Sequence, residues 1–531
     1  EYIELYNLAW NLAKDHVKHI PGMPQDPYID ESFCESRIWI WDTCFMTLFC
    51  KFSPKDFPGI ESFRNLIDVL QNGVRLPLVR IPEGEPAWTG NKPGDLAPIL
   101  IQHPDNPPLF AWAEYENALM SGNREHLKDI LQNTKVLQKH YDWLESLKES
   151  VLPDQCMVPT RWIHQDKGYL WGGIQSGMDN TPRGRFSHTD AGPELKDFYW
   201  VDAIAQQALT AECIARMAEI IGDNALAAEW IAHKKEKQEL IQKYYWDPVD
   251  GFFYDIDPDT MKPLRIVTPA SFWVLLAGCA TPEQAKLCAE KLLDPELLGG
   301  KYPWVTVARN DAKFNADNGL YWHGAVWVPT AYAGTRALLR YGMFDLAREK
   351  VLDMLKHMYD TWKNFTPHTI WECYSPNKPE PAHTTNGVKL VRPDFCGWSA
   401  LMPIAGLIEN AIGLYEANAF TNTLRWHLSA EAKGKTGCRN YRFIHQPVSQ
   451  DHWFICIAPG DLRPEGAEPF LVFRLCPKRR AVTLRLISTL GIVHIQHQPD
   501  ACRLCPGNVF VQPRKARFPV GIRIAVRLEQ P

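Results

Sequence analysis

The sequence predicts an all-α fold, an (α/α)6 barrel (toroid), with long loops on one face and a small β or irregular C-terminal tail. Three observations predict it. Apolar residues recur at helical spacing in twelve segments before residue 420, as with Ile130, Leu137, Tyr141 and Leu144, or Val201, Ile204, Ala205, Ala208 and Leu209. The links from each even-numbered segment to the next are roughly one to six residues and carry helix-stopping glycines such as Gly122, Gly222 and Gly342. The links from each odd-numbered segment to the next run to roughly 20 to 50 residues, far above the usual loop length. Six hairpins with tight turns at one end and elaborated loops at the other describe alternating inner and outer rings of helices, with functional residues gathered at the long-loop end.

Taken in order, the helical segments fall near 2–19, 40–51, 58–74, 105–121, 123–149, 197–221, 223–244, 268–279, 281–293, 321–341, 343–363 and 396–416. Between the third and fourth, residues 75–104 are rich in Pro and Gly and carry Trp88, so they read either as a lid over the long-loop face or as a decorative insertion. Between the seventh and eighth, YYWDPVDGFFYDIDPDT reads as a β-hairpin with Asp250 and Gly251 in its turn. Its acids Asp255, Asp257 and Asp259 lack the glycine and terminal glutamate of a calcium loop and read as solvated turn residues. These segments place a barrel domain at 1–420 and an extension at 421–531. From about residue 444 acids thin out while Arg, Pro and Cys rise, with short β-like alternations at 481–487 and 520–528.

Composition narrows the chemistry. With a formal net charge of −5, the chain does not offer the clustered Lys and Arg that nucleic acid requires. No run of apolar residues reaches the length of a membrane span. The chain starts at Glu1, already in a helical pattern, so the natural N-terminus is expected to be missing; compartment stays open between cytoplasm and periplasm, and the protein is expected to be soluble. The 14 Cys are scattered and read as free thiols, and Cys502 and Cys505 have no second pair to complete a zinc site. Twenty Trp, 18 Tyr and 23 Phe fill core, but their flat faces also suit the apolar faces of sugar rings.

Two acids stand out. Asp179 sits in the glycine-punctuated loop WGGIQSGMDNTPR, and Glu372 lies beside Trp371 and Tyr374 in HTIWECYSP. Paired carboxylates in aromatic, water-poor loops suit a general acid and a general base. Asp42 at the start of the second helix, Asn106 just before the helical run of the fourth and His323 opening the tenth fall on the same face as these two acids, Glu372 lying in the link ahead of Phe395, Gly397 and Trp398. Neighbouring motif residues Trp41, Gln102, Asn180, Trp322 and Trp371 complete the candidate substrate contacts. Arg183 either orients Asp179, binds substrate, or pins the loop to a neighbouring carbonyl. A sugar 2-epimerase working through His323 and His188 is a second reading of such a barrel, and a non-catalytic glycan-binding scaffold a third; paired acids favour hydrolysis over both.

The motifs WIWDTCF, GIQSGMDNTPR, YWHGAVW, TIWECYSP and PDFCGWSALMP, in that order, resemble glycoside hydrolase family 63 and the related mannosylglycerate hydrolase-like enzymes. The resemblance covers roughly residues 1–443 and implies an inverting, exo-acting α-glycosidase on an (α/α)6 barrel, needing no metal or organic cofactor and taking an α-linked carbohydrate. It matches Asp179 to the general acid, Glu372 to the general base, and Trp41 with Asp42 to positions that hold the non-reducing-end sugar. The family commonly has Arg where this chain has His323. Past GCRNYRF the chain departs from the family, and its Arg-, Pro- and Cys-rich composition resembles a shifted reading frame.

Overall fold

A computed structural model of the chain describes residues 2–19, 24–31, 38–67, 79–80, 104–153, 156, 158–184, 196–421, 423–427, 429, 436–439 and 441, and six strands beyond them. Its α-helices are α1 (Tyr2–Asp15), α2 (Ile40–Cys50), α3 (Arg64–Ile67), α4 (Phe110–Ser121), α5 (Arg124–Lys128), α6 (Val136–Ser146), α7 (Gly173–Ser176), α8 (Val201–Ile221), α9 (Asn224–Leu240), α10 (Phe272–Leu276), α11 (Pro282–Leu293), α12 (Val328–Arg340) and α13 (Phe344–Asn364). A wide, π-type helix at Met402–Ile412 follows them.

Burial sorts these helices into two rings. Every residue of α2 is buried, and α8 buries nearly all of its length, so neither has a solvent face. In α9 only Ala227, Trp230 and Lys237 are buried, the narrow stripe of a helix covering one side of a core. Among the buried helices α2 touches α4, α4 touches α8, α8 touches α10, α10 touches α12, α12 touches Met402–Ile412, and Met402–Ile412 touches α2. The inner ring is therefore closed. Outside it, α9 covers α8, α13 covers α12 and Met402–Ile412, and α1 packs on Met402–Ile412 and α13. The sequence-predicted toroid is the observed fold.

Glycines end the inner helices where sharp reversals are needed. Gly122 and Gly222 cap α4 and α8 at φ of 67° and 85°, a left-handed conformation that a side chain disfavours. At this turn end four elements of the inner ring are tied by a buried ion network. Lys51, capping α2, reaches Glu116 of α4 at 3.1 Å and Glu409 at 2.9 Å; Arg336 of α12 reaches Glu116 at 2.9 Å and Glu409 at 3.5 Å. Each carboxylate faces two cations, which offsets the cost of burying it.

Two sequence expectations change. The tenth helix begins at Val328, not near 321: Leu320 and Tyr321 have φ of 34° and 65°, and Val326 makes a β-bridge to Tyr374. His323 thus lies in a loop and does not open a helix. Asp255 is not a solvated turn residue but is 3% exposed. The predicted hairpin forms, with Trp246 opposite Phe253 and Asp247 opposite Phe252. In the C-terminal region a five-stranded antiparallel sheet runs in the order Gly491–Ile495, Val482–Ser488, Phe470–Leu475, Thr423–His427, Glu416–Asn418, so it straddles residue 420. Val482–Ser488 overlaps the first predicted alternation, 481–487, and Ala525–Val526 falls within the second. The lid or insertion at 75–104, apart from a short strand at Val79–Arg80 and Pro104 itself, lies outside the described residues, as do Gln102, His188, Cys502 and Cys505. Among the described residues no helix is long and apolar enough to cross a membrane, and the cysteines are free.

Candidate active site

The N-terminal ends of the inner helices and the long loops above them build one site. The loop bearing Asp179 starts with the single turn α7 and reverses at Gly177, φ 75°. Gly177 lies flat on the indole of Trp41; a Cβ there would come within 2.8 Å of the ring, so a close approach as well as the backbone requires glycine. Trp41 belongs to the first turn of α2 and is held edge-on by Phe45 at 4.8 Å. Ser176 tightens the turn, accepting from the Met178 amide at 3.2 Å and donating to the Gly173 carbonyl at 2.7 Å. Burial, reinforced by the negative charge of Glu372, pushes the half-buried Asp179 up to about 7. Near neutrality a large fraction of Asp179 is therefore the neutral acid.

Beneath the loop, Arg183 is 1% exposed. Its guanidinium donates to Asp202 at 2.7 and 3.3 Å and to Asp255 at 3.0 and 3.2 Å, and stacks on Trp200 at 4.2 Å. Asp202 lies in the first turn of α8, and Asp255 also accepts the Val201 amide at 2.8 Å. Arg183 thus pins the acid loop to the head of α8 through two carboxylates, and its partners are not the carbonyl considered from sequence. Arg183→Met is expected to destabilise the fold by about 3–5 kcal/mol, because two acids lose their buried counter-charge. Burial holds Asp255 above the usual carboxylate range. Its folded form therefore binds protons more tightly than the unfolded chain, and the loss shrinks as pH falls and Asp255 is protonated. Urea unfolding of both proteins at pH 5 and pH 8 checks the size and the sign.

Glu372 is 1% exposed and held on all sides. Its Oε1 accepts from Tyr321 Oη at 2.6 Å and its Oε2 from the Arg392 amide at 3.1 Å. Its carbonyl accepts from Trp398 Nε1 at 2.8 Å, and its amide donates to the Arg392 carbonyl at 3.0 Å. Burial raises its pKa, while the Tyr321 and Arg392 hydrogen bonds act the other way. Asn180, next to the acid, donates to the Leu320 carbonyl at 3.0 Å and accepts from the Trp322 amide at 2.9 Å.

Asp42 faces the same space. It is 4% exposed, its Oδ1 has no partner among the described residues, and burial plus the charges of Glu31, Glu372 and Asp179 hold its pKa well above the usual range. Trp322 stacks on Trp327 at 4.1 Å, and Trp398 lies against Trp327 at 5.4 Å. The indole Nε1 atoms of Trp322 and Trp371 are buried without a partner among the described residues. Asn106 is fully buried just before α4. His323 is half-buried with Nδ1 3.2 Å from the Lys313 carbonyl, and burial lowers its pKa. Among the described residues no group of three or more His, Cys, Asp or Glu is placed to hold a metal.

Sequence reasoning missed Tyr321, Asp202 and Asp105. Tyr321 stood inside YWHGAVW beside the two residues singled out there. Asp105 accepts the Arg161 and Trp162 amides, each at 3.1 Å, and Trp171 Nε1 at 2.9 Å, so it anchors the start of the acid loop. Its only signal was adjacency to Asn106.

The profile of the mannosylglycerate hydrolase MGH1-like glycoside hydrolase domain matches residues 101–387, a span that includes both Asp179 and Glu372. A family 63 mannosylglycerate hydrolase of Thermus thermophilus, solved with Tris, superposes with a TM-score of 0.56 at 16% identity, over 76% of this chain and 100% of that one. An uncharacterized protein of Borreliella burgdorferi is 28% identical over 58% of this chain and 59% of its own length. A periplasmic trehalase of Escherichia coli O1:K1 / APEC is 27% identical over 48% of this chain and 45% of its own length. The chain thus spans about half the length of the curated relatives it matches.

Proposed function

Since the chain belongs to the mannosylglycerate hydrolase MGH1-like glycoside hydrolase family, we propose that it is an inverting, exo-acting α-glycosidase that releases a terminal glucose or mannose from an α-linked conjugate. The observation that carries the reading is the unequal setting of two carboxyl groups, a half-buried Asp179 that feels the charge of Glu372 and a fully buried Glu372. Asp179 is raised to about 7 and makes a proton available, whereas Glu372 accepts hydrogen bonds at both oxygens, which favours its anion.

In this mechanism Asp179 donates its proton to the glycosidic oxygen as the bond from that oxygen to C1 breaks. Glu372 takes a proton from a water molecule whose oxygen attacks C1 from the opposite face. One proton leaves Asp179 and one arrives at Glu372, and exchange with solvent restores both. The unpartnered Oδ1 of Asp42 accepts from a sugar hydroxyl. The unpaired indole N–H groups of Trp322 and Trp371 donate to others, and the Trp41 face supports the ring. Such a separation of roles asks for carboxyl groups about 6.5 to 9.5 Å apart, room for one water.

Proton NMR of the first turnover decides the stereochemistry. The β-anomer is expected to appear first from an α-linked substrate, with the α-anomer following only by mutarotation. The α-anomer first would mean a covalent sugar intermediate and would overturn the reading.

A further inference from the structure

We propose that Asn180 and Tyr321 form a brace that joins the loop of the acid to the base, with Tyr321 orienting Glu372 and Asn180 holding Tyr321 in place. The inference rests on the assignment of Asp179 and Glu372 as acid and base. Tyr321 has φ of 65° and follows Leu320 at 34°, two consecutive non-glycine residues in left-handed backbone. Such a conformation persists where neighbouring groups over-determine it. Here three backbone groups at and beside Tyr321 are held. Asn180 takes the Leu320 carbonyl and the Trp322 amide, on either side of Tyr321, and Trp327 Nε1 donates to the Tyr321 carbonyl at 3.1 Å. The ring of Tyr321 rests edge-on against Trp327 at 4.7 Å, which leaves its hydroxyl directed at Glu372 Oε1, 2.6 Å away.

Both polar ends of the Asn180 amide are thus committed to backbone. Asn180 is a positioning residue, and its place next to Asp179 means that one side-chain amide sets the acid loop relative to the base. The charged and titratable groups that act on Glu372 are Tyr321 and Arg392, with Asp179, Asp42 and Cys373 sharing its surroundings. Of these, Tyr321 and Arg392 favour the carboxylate, and only the Tyr321 contact depends on the brace.

The test pairs kinetics with a titration that needs no substrate. Tyr321→Phe, which keeps the ring, is expected to move the acid limb of kcat/KM upward by about one pH unit, a ~10-fold loss at pH values below the limb. Asn180→Ala is expected to shift the limb in the same direction and lower kcat with KM changed less than about threefold. Because the two residues act in series, the double variant is expected to match Tyr321→Phe alone within about twofold. Should Asn180→Ala fail to fold, Asn180→Ser carries the same expectation. A raised KM with the limb in place would return Asn180 to a sugar contact and overturn the brace, as would single effects that multiply. Independently, ¹³C NMR of the Glu372 carboxyl should titrate about one unit higher in Tyr321→Phe than in wild type; an unmoved midpoint overturns the proposal. Absence of hydrolysis by the wild type on every α-glycoside would remove the functional assignment, while the titration would still judge the brace.

Discussion

Asp179→Asn is expected to lower kcat/KM by about 10²- to 10⁴-fold on natural α-glycosides, whose alkoxide leaving groups need a proton. Glycosyl fluorides and nitrophenyl glycosides, whose leaving groups depart without full protonation, should lose far less. The pH profile carries a second signature. Wild-type kcat/KM should fall as pH rises through about 7, because burial and the charge of Glu372 hold the Asp179 proton up to there. The variant, with an amide in place of the acid, should lose that basic limb. A uniform loss on both substrate classes, with the limb retained, would assign the proton donor elsewhere. Initial rates on a fluoride and an alkyl glycoside across pH 4 to 9 separate these outcomes.

Glu372→Gln should be as damaging, by about 10²- to 10⁴-fold, but on activated and natural substrates alike, since neither can dispense with an activated water. An amide cannot take the proton, yet it fits nearly the same contacts: its oxygen can accept from the Arg392 amide while its NH2 donates to Tyr321 Oη, whose hydroxyl then turns its own proton elsewhere. Stability should consequently change little, and the defect should lie in kcat rather than KM. Azide, already an anion, needs no base and should partly restore turnover on a glycosyl fluoride. The product expected is a β-glycosyl azide; an α-azide would mean attack from the leaving-group face and would remove Glu372 from its assigned side of the sugar.

The toroid was readable in the sequence because its signals are local. Helical periodicity and a left-handed glycine after α4 or α8 each operate within a few residues. The two acids were singled out for a related reason: Asp179 stands in a Gly-rich loop, and Glu372 stands beside Trp371 and Tyr374. What sequence alone did not reveal was set by distant partners. Asp255 looked like a turn acid because its counter-ion, Arg183, is 72 residues away along the chain. Residues 321–327 looked helical because aromatic and apolar residues dominate them, but the side chain of Asn180, some 140 residues earlier, holds their start in a left-handed turn. Arg183 was an even choice among roles until Asp202 and Asp255 were seen around it. Asp42, by contrast, was singled out from its place at the start of the second predicted helix, and it lies in the first turn of α2.

The closed inner ring also constrains how the chain reaches this state. Contacts between α2 and Met402–Ile412, and between α1 and the same helix, join segments at opposite ends of the barrel sequence. Such contacts give no return until most of the intervening chain is arranged, so closure entropy weighs on the last step of folding rather than the first. Any open arc of hairpins would present the apolar flank of a helix such as α2, none of whose residues is exposed in the finished ring. Partial rings are therefore sticky species, prone to association with one another. The same continuity that gives the site a rigid rim leaves the protein without a stable half-folded form to fall back on.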